Sequence, residues 1–248
     1  MKNKFMKKIG TVILSCVMAV SAMAVCACGG NGGESSQDGT GFSQLTYVAF
    51  GDSITWGEIG KTQEQMEKPY PVLVKEALQL KQVRNYGERN ATIKYIESKP
   101  NVVMHVKDAV AKADIVSVLV GINDFGAGCA LGTIEDTSCT QSVYGGFNDM
   151  ATRLQEKYPN AFIFFMTPLK PFDWAETNKA GYSLLDLCNA IKEVAASKNI
   201  AVLDLNATSG FSAETDKYCP DGLHPSQYFF ETYMAPQIAQ FIKDNYAK

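Results

Sequence analysis

Runs of basic residues are absent from this chain, and its balance of charge is acidic. The 248 residues include 23 lysines and arginines against 26 aspartates and glutamates. Four of the lysines lie among the first eight residues, so the rest of the chain has 19 basic and 26 acidic residues, a net charge near −7. Such a surface does not favour binding to nucleic acid. No C-x-x-C pair occurs together with histidines, so a metal site of the zinc type is not expected.

The one long apolar run lies at the N-terminus. After the four lysines, residues 9–25 are apolar apart from small Gly, Thr, Ser and Cys residues, which is typical of an export signal. The end of this run resembles the lipobox of bacterial lipoproteins, in which a small residue precedes the cysteine that becomes lipidated. Cys28, which follows an alanine, fits this pattern better than Cys26. We therefore interpret residues 1–27 as a lipoprotein signal peptide. Ordinary cleavage and an uncleaved anchor are the alternatives, and all three place the domain outside the cytoplasm.

A flexible tether follows the signal. Residues 28–43 begin with the candidate lipidated cysteine and are rich in Gly and Ser, with almost no apolar side chains. Residues 44–248 are long enough for one core, and neither an internal repeat nor a second low-complexity stretch divides them. The expected arrangement is one extracellular domain, held by a lipid anchor on the outer face of a bacterial cytoplasmic membrane. The sequence does not indicate an oligomeric state.

Four cysteines remain in the domain, which is an even number in a chain expected to be exported. They can pair in three ways, and the sequence does not choose among them. The pair Cys129 and Cys139 would close a short loop, so this disulfide is the favoured one. The other two are Cys188 and Cys219.

Strand and helix patterns alternate along the domain. Apolar runs predict five strands, at residues 45–50, 82–86, 115–120, 161–166 and 200–205. Helical spacing predicts helices at 70–80, 100–113, 142–158, 179–198 and 226–245, with a helical turn at 91–98. This order favours an α/β fold in three layers, with a parallel sheet of about five strands between helices.

Polar residues that a packed core does not need occur in four short stretches, three after predicted strands and one before the last helix. They are the stretches Gly51-Asp52-Ser53-Ile54 after the first strand, Asn85-Tyr86-Gly87 after the second, Gly121-Ile122-Asn123-Asp124 after the third, and Asp221-Gly222-Leu223-His224 before the last helix. In open α/β sheets, the carboxyl ends of the strands are where ligands bind. A serine in such a place is inert until a base and donors for an oxyanion accompany it.

These four blocks, in this order, resemble those of the SGNH hydrolases, also called GDSL esterases and lipases. The resemblance covers the chain from about residue 45 to its end and implies the flavodoxin-like fold of that family. It implies that Ser53 is the nucleophile, that His224 is its general base and that Asp221 orients the imidazole. The oxyanion hole would come from the backbone N–H groups of Ser53 and Gly87 and from the side-chain amide of Asn123.

The chain departs from the family pattern at one point. Many members have a second glycine three residues after the first in the second block, where this chain has Asn90. The loop beside the oxyanion hole is therefore expected to be shaped differently. Two carboxylates, Asp52 and Asp124, are interpreted as supports for the turns rather than as reacting groups. His105 is the only other histidine and is expected at the surface or at the boundary of its helix, so His224 has no competitor as the base.

The residues around the site are less informative about the substrate. Trp56 could form a wall of the pocket or pack in the core, and Phe125 is expected on one rim. The segment 168–174, with Phe172 and Trp174, is expected on the opposite rim, where its aromatics could stack on sugar rings or cover the core. The sequence thus predicts a serine esterase that needs no metal or organic cofactor.

The expected substrates are small-molecule or glycan esters. O-acetyl groups on carbohydrates come first, and the alternative is a lysophospholipase-like or thioesterase-like acyl hydrolase. A non-catalytic glycan-binding protein of the same fold is a further reading, but it would be expected to lack one member of the Ser–His–Asp set.

Overall fold

A parallel sheet forms the centre of the computed structural model, which describes residues 41–171, 175–208 and 215–246. The strands, in chain order, are β1 (Thr46–Gly51), β2 (Glu58–Ile59), β3 (Glu64–Gln65), β4 (Gln82–Gly87), β5 (Ile115–Leu119), β6 (Phe162–Met166) and β7 (Ala201–Leu203). Five of them lie side by side in the order β4-β1-β5-β6-β7, and all neighbours are parallel. Strands β2 and β3 form a separate antiparallel hairpin.

Helices connect the strands. They are α1 (Ser53–Trp56), α2 (Tyr70–Leu78), α3 (Val102–Asp108), α4 (Ile122–Ala127), α5 (Val143–Lys157), α6 (Leu184–Ser197), α7 (Leu205–Thr208), α8 (Thr215–Tyr218), α9 (Gln227–Phe229) and α10 (Ala235–Asn245), with a π-helical segment at Phe230–Met234 between the last two. None of the helices in the described ranges is long and apolar enough to cross a membrane.

The two faces of the sheet carry separate cores, because successive side chains of a strand point to opposite faces. From β1, Val48 and Phe50 pack with the apolar sides of α3, α5 and α6. Their neighbours Tyr47 and Ala49 pack on the other face with α2 and α10. The expected three-layer α/β fold with five parallel strands is confirmed.

The strand order fixes where chemistry can take place. Counting only the five strands of the sheet, the order is 2-1-3-4-5, which is the flavodoxin-like arrangement. Chain connections leave β1 and β5 in opposite directions, so a crevice opens between the carboxyl ends of these two strands. Ser53 follows β1, and Asn123 follows β5. Two of the sequence blocks therefore meet at the switch point of the sheet.

Capping residues explain why two helices begin later than their sequence patterns predict. The helix expected at 100–113 begins only after Asn101, whose side chain accepts the N–H of Met104, and it ends at Asp108. The helix expected from residue 179 begins at Leu184, because Ser183 and Asp186 form a capping box. The helical turn expected at 91–98 is not a helix in the structure.

The cysteines differ from expectation. Cys129, Cys139, Cys188 and Cys219 are all free and buried, so the favoured disulfide between Cys129 and Cys139 is not formed in this structure. The backbone N–H of each of these two cysteines donates a hydrogen bond to an aspartate. The Cys129 N–H donates to the Asp124 carbonyl, while the Cys139 N–H donates to the Asp149 carboxylate. Both thiols pack in the same apolar core as α5, where a buried cysteine behaves as a small apolar residue.

Candidate active site

Ser53 is the first residue of α1, directly after the carboxyl end of β1. Asp52 caps this helix by accepting the N–H of Ile54 at 3.0 Å, which fixes the turn that presents the serine. Only 4% of Ser53 is exposed. As the first residue of a helix, Ser53 has a backbone N–H without an intrahelical acceptor. Both its hydroxyl and its N–H are therefore held at the crevice.

Ser53, His224 and Asp221 form a hydrogen-bonded chain. His224 Nε2 lies 3.0 Å from Ser53 Oγ, and His224 Nδ1 lies 2.7 Å from Asp221 Oδ2. Ser53 and His224 are 171 residues apart in sequence, so only the fold brings them together. In this arrangement the imidazole can take a proton from the serine while the carboxylate holds the ring in place.

A tight turn shapes the loop that carries Asp221 and His224. Asp221 Oδ1 accepts the backbone N–H groups of Leu223 and His224 at 3.0 and 2.7 Å. Gly222 has a φ of 82°, which glycine adopts without strain. Partial burial acts to raise the pKa of Asp221, but the hydrogen bonds from the His224 ring and from the two backbone N–H groups outweigh it. The pKa of Asp221 therefore lies below its ordinary value, and the carboxylate is ionised beside the imidazole.

Asn123 and Gly87 lie at the expected edge of the sheet, but their donors are not equally available. One side-chain N–H of Asn123 donates to the Ala91 carbonyl at 3.0 Å, which leaves the second for an oxyanion. The N–H of Gly87 donates to Asn85 Oδ1 at 2.8 Å. Asn85 in turn donates to the Thr55 carbonyl of α1 at 2.7 Å. The expectation that Gly87 supplies a free donor therefore differs from this structure, in which Asn85 already accepts that N–H.

Glycine is nevertheless required at position 87 by packing. A Cβ there would meet backbone atoms of Thr55 and Trp56, at 2.7 Å from the Trp56 Cα and closer to others. The loop then turns at residues 88–91, where the Ala91 N–H donates to the Glu88 carbonyl. Asn90 occupies this turn with a φ of 60°, a left-handed conformation that asparagine tolerates better than most residues. Asn90, at the position where many family members have a second glycine, thus adopts a positive φ without being glycine.

Two buried aspartates, Asp52 and Asp124, accept hydrogen bonds from the backbone of the loops. Both oxygens of Asp124 accept backbone N–H groups, those of Ile93 and Lys94, at 3.0 and 2.9 Å. Burial raises the pKa of Asp124 to about 7, although these bonds act in the opposite direction. Burial also raises the pKa of Asp52 to about 7. Among the described residues, neither carboxylate forms a hydrogen bond or ion pair with Ser53 Oγ or with the His224 ring, in keeping with a supporting role.

Sequence reasoning missed a second carboxylate at the imidazole. Glu58 on β2 has a side chain only 7% exposed, and its Oε2 lies 3.7 Å from His224 Nε2. Arg89 holds this carboxylate through two hydrogen bonds of 3.1 Å. The Arg89 guanidinium also lies over the Trp56 ring, 5.7 Å from its centroid. No periodic pattern connects positions 58 and 89, so only the fold shows this pair.

Phe125, Lys170 and Pro171, which were expected on the rims of the crevice, line one cavity of about 440 Å³ together with the start of α6, where Leu185 is 59% exposed. Ser53, His224 and Asn123 are not among the residues that line this cavity. Trp56 is half-buried and supports Arg89 rather than packing fully in the core. Phe172 and Trp174 lie outside the described residues, as does Cys28.

His105 lies apart from the site on α3, where its Nε2 pairs with the Glu88 carboxylate at 2.8 Å. His224 is therefore the histidine that meets Ser53. In the described ranges, no group of three or more His, Cys, Asp and Glu side chains is arranged to hold a metal ion.

Comparison with known proteins agrees with the fold and the sequence blocks. The model of the GDSL-like Lipase/Acylhydrolase family matches residues 49–228. A solved Lactobacillus plantarum protein is 22% identical, with a TM-score of 0.73 over 82% of this chain and 98% of its own. The native aryl esterase of M. smegmatis is 17% identical, with a TM-score of 0.63 over 81% and 99%. A carbohydrate acetylesterase family member from Sinorhizobium meliloti is 15% identical, with a TM-score of 0.61 over 81% and 98%. The comparison with curated proteins found no significant match.

Proposed function

Since the chain belongs to the GDSL-like lipase/acylhydrolase family, we propose that it is a serine esterase in which Ser53 is the nucleophile. The observation that carries this proposal is the chain of bonds from Ser53 Oγ through His224 to Asp221, at 3.0 and 2.7 Å. Nucleophile, base and orienting acid are then all within hydrogen-bond reach.

The first half of the reaction forms an acyl-enzyme. Ser53 Oγ attacks the ester carbonyl as His224 Nε2 takes its proton, and the carbonyl oxygen gains negative charge in the tetrahedral intermediate. His224 then gives this proton to the departing alcohol. In the second half, His224 takes a proton from water, which attacks the acyl carbon. The bond from that carbon to Ser53 Oγ then breaks, His224 returns the proton to Oγ, and the carboxylic acid leaves. Asp221 stabilises the imidazolium each time it forms.

Two donors are available for the negative oxygen. One is the Ser53 backbone N–H at the start of α1, and the other is the second side-chain N–H of Asn123. The Gly87 N–H would first have to leave Asn85. Donors fixed before the reaction are effective because they need no rearrangement as the charge develops.

We propose O-acetyl groups on carbohydrates as the substrates. The support is a resemblance in fold to a carbohydrate acetylesterase family member and an expected extracellular position. The lipid anchor at Cys28, the tether of residues 28–43 and the outer face of the membrane belong to the same proposal. A long-chain acyl hydrolase is the second candidate. Phe125, two residues after Asn123 on α4, lines the 440 Å³ cavity together with the exposed Leu185, although polar residues such as Lys170 and Glu176 line it as well.

A fluorophosphonate probe tests the nucleophile. The wild-type protein should be labelled and Ser53→Ala should not be. Labelling that persists in Ser53→Ala would refute the assignment, and an unreactive wild type would favour a binding protein instead.

A substrate series tests the specificity. Acetylated xylan and 4-nitrophenyl acetate should be hydrolysed faster than 4-nitrophenyl esters of long acyl chains. A strong preference for long chains would exclude the carbohydrate proposal and favour the acyl hydrolase.

A further inference from the structure

Glu58 lies beside the nitrogen that moves the proton. His224 Nε2 faces Ser53 Oγ at 3.0 Å and Glu58 Oε2 at 3.7 Å. The second distance is too long for a hydrogen bond, so Glu58 can act on the imidazole only through its charge. At this separation and under burial, a charge acts strongly because little water screens it.

The Glu58 carboxylate is held in a fixed place. Arg89 Nε donates to Oε2 and Arg89 Nη2 to Oε1, both at 3.1 Å, in the paired geometry that suits a guanidinium and a carboxylate. Trp56 lies beneath the guanidinium and limits its movement. Glu58 is therefore a fixed negative charge near Nε2, and Arg89 is a fixed positive charge behind it.

This charge acts differently before and after proton transfer. A neutral imidazole turns its Nε2 lone pair towards Ser53, and a neighbouring carboxylate has no electrostatic attraction to this neutral ring. Once Nε2 carries the serine proton, the ring is a cation and the carboxylate attracts it. An interaction that strengthens only as the transition state forms raises kcat rather than substrate affinity. Arg89 carries the opposite charge and is paired with the same carboxylate, so it opposes this attraction.

We propose that Glu58 is a positioning residue that stabilises the His224 imidazolium from the Nε2 side, while Asp221 does so from the Nδ1 side, and that Arg89 limits the size of this effect. The inference rests on the proposed esterase function. In the step concerned, the proton passes from Ser53 Oγ to His224 Nε2 as the Oγ–carbon bond forms. Glu58 neither gains nor loses a proton.

The opposite role for Glu58, in which its charge slows the reaction, would give a different kinetic result. If Glu58 instead drew the imidazolium away from Ser53, its removal would raise kcat. The charged groups that face His224 are Asp221 from its own loop, Glu58 from β2 and Arg89 behind Glu58. Glu67, after β3, lines the same cavity of about 210 Å³ as His224. Of these groups, Glu58 and Arg89 can be neutralised without touching the hydrogen bonds between Ser53, His224 and Asp221.

Two variants of opposite sign test the proposal, each compared with wild type on 4-nitrophenyl acetate across pH. Glu58→Gln should lower kcat on the order of tenfold with little change in KM, since a charge near 4 Å is removed from the imidazolium. The acid limb of the pH–rate profile of this variant should move to lower pH, because the imidazolium loses a neighbouring negative charge. Arg89→Gln leaves the Glu58 charge unopposed, so its acid limb should move to higher pH. A merely structural role would move both profiles in the same direction or not at all.

Asp149→Asn is the matched control. It removes a carboxylate that is also paired with an arginine, Arg153, but on α5 and without contact to His224. It should lower the melting temperature and leave the pH–rate profile unchanged. Unchanged profiles in both site variants, shifts of the same sign, or a raised kcat in Glu58→Gln would overturn the proposal. If the wild type itself neither hydrolyses esters nor reacts with the fluorophosphonate probe, the proposed function fails instead.

Discussion

Replacing Gly60 with alanine should impair the reaction and leave the fold intact. Gly60 follows β2 in the hairpin and faces the Asp221 side chain. A Cβ built on Gly60 would lie 2.8 Å from Asp221 Oδ1 and closer still to Oδ2 and Cγ, whereas ordinary van der Waals contact begins at 3.4 Å. An alanine at this position therefore forces either the hairpin or the Asp221 carboxylate to move.

Asp221 cannot move without consequence. Its carboxylate accepts the N–H groups of Leu223 and His224 and the ring N–H of His224 at 2.7 to 3.0 Å. A displacement on the order of 1 Å would turn the imidazole away from Ser53 Oγ, and misplacement of that size can cost about 10²-fold in rate. We expect kcat to fall by about this factor in Gly60→Ala.

The assay is the measurement of kcat and KM on 4-nitrophenyl acetate, together with the melting temperature. Gly181→Ala is the control, because its Cβ meets nothing within 4 Å while its φ of +85° strains any side chain. It should lose about 1–2 kcal/mol of stability through left-handed strain and keep its activity. Wild-type kcat in a folded Gly60→Ala would refute the reasoning, because the hairpin would then have yielded without disturbing Asp221.

Two further predictions concern residues below and beside Ser53. Burial raises the pKa of Asp52 to about 7 from its ordinary 3.8. Protonated Asp52 therefore contributes up to about 4 kcal/mol to the free energy of unfolding. This contribution is fully present below about pH 4 and is lost as the pH rises through 7. Asp52→Asn keeps an acceptor for the Ile54 N–H, so it should narrow the difference between melting temperatures at pH 5 and pH 8; an unchanged difference would contradict the raised pKa. Asn123→Ala removes the proposed side-chain donor to the oxyanion and should lower kcat about 10²–10³-fold with KM nearly constant. A loss confined to KM would mean that Asn123 binds substrate instead.

The sheet was predictable from sequence because its strands are buried on both faces. Ile115–Leu119 is apolar apart from one serine, and such a run identifies a central strand without reference to the rest of the chain. Helix ends were less predictable where apolar spacing continued beyond the cap. Ser183 and Asp186 do carry a capping signal, three residues apart, that could have placed the start of α6. The two-residue strands of the hairpin are too short to have a periodic pattern.

The site was predictable only where its residues form local blocks. Asp221 and His224 are three residues apart, so one turn positions both, and the sequence displays the turn. Glu58 and Arg89 are 31 residues apart and meet only because the hairpin and the loop after β4 lie together. The bond from Gly87 to Asn85 is local, but it depends on a side-chain orientation that the spacing of residues does not determine.

Three aspartates illustrate how the loops are shaped before any substrate arrives. Asp52 accepts the N–H of Ile54, Asp124 those of Ile93 and Lys94, and Asp221 those of Leu223 and His224. Asp52 and Asp221 thus bind backbone N–H groups next to Ser53 and His224. Asp124, which follows Asn123, binds backbone N–H groups of the loop after β4. Of the three, only Asp221 has an oxygen on the imidazole. Because the same residue shapes the turn and orients His224, substituting Asp221 would remove both effects together. Gly60→Ala keeps the carboxylate and its charge in the protein and changes its position or that of the hairpin, which carries Glu58. The alanine variant therefore tests the geometry around the imidazole with both negative charges still present.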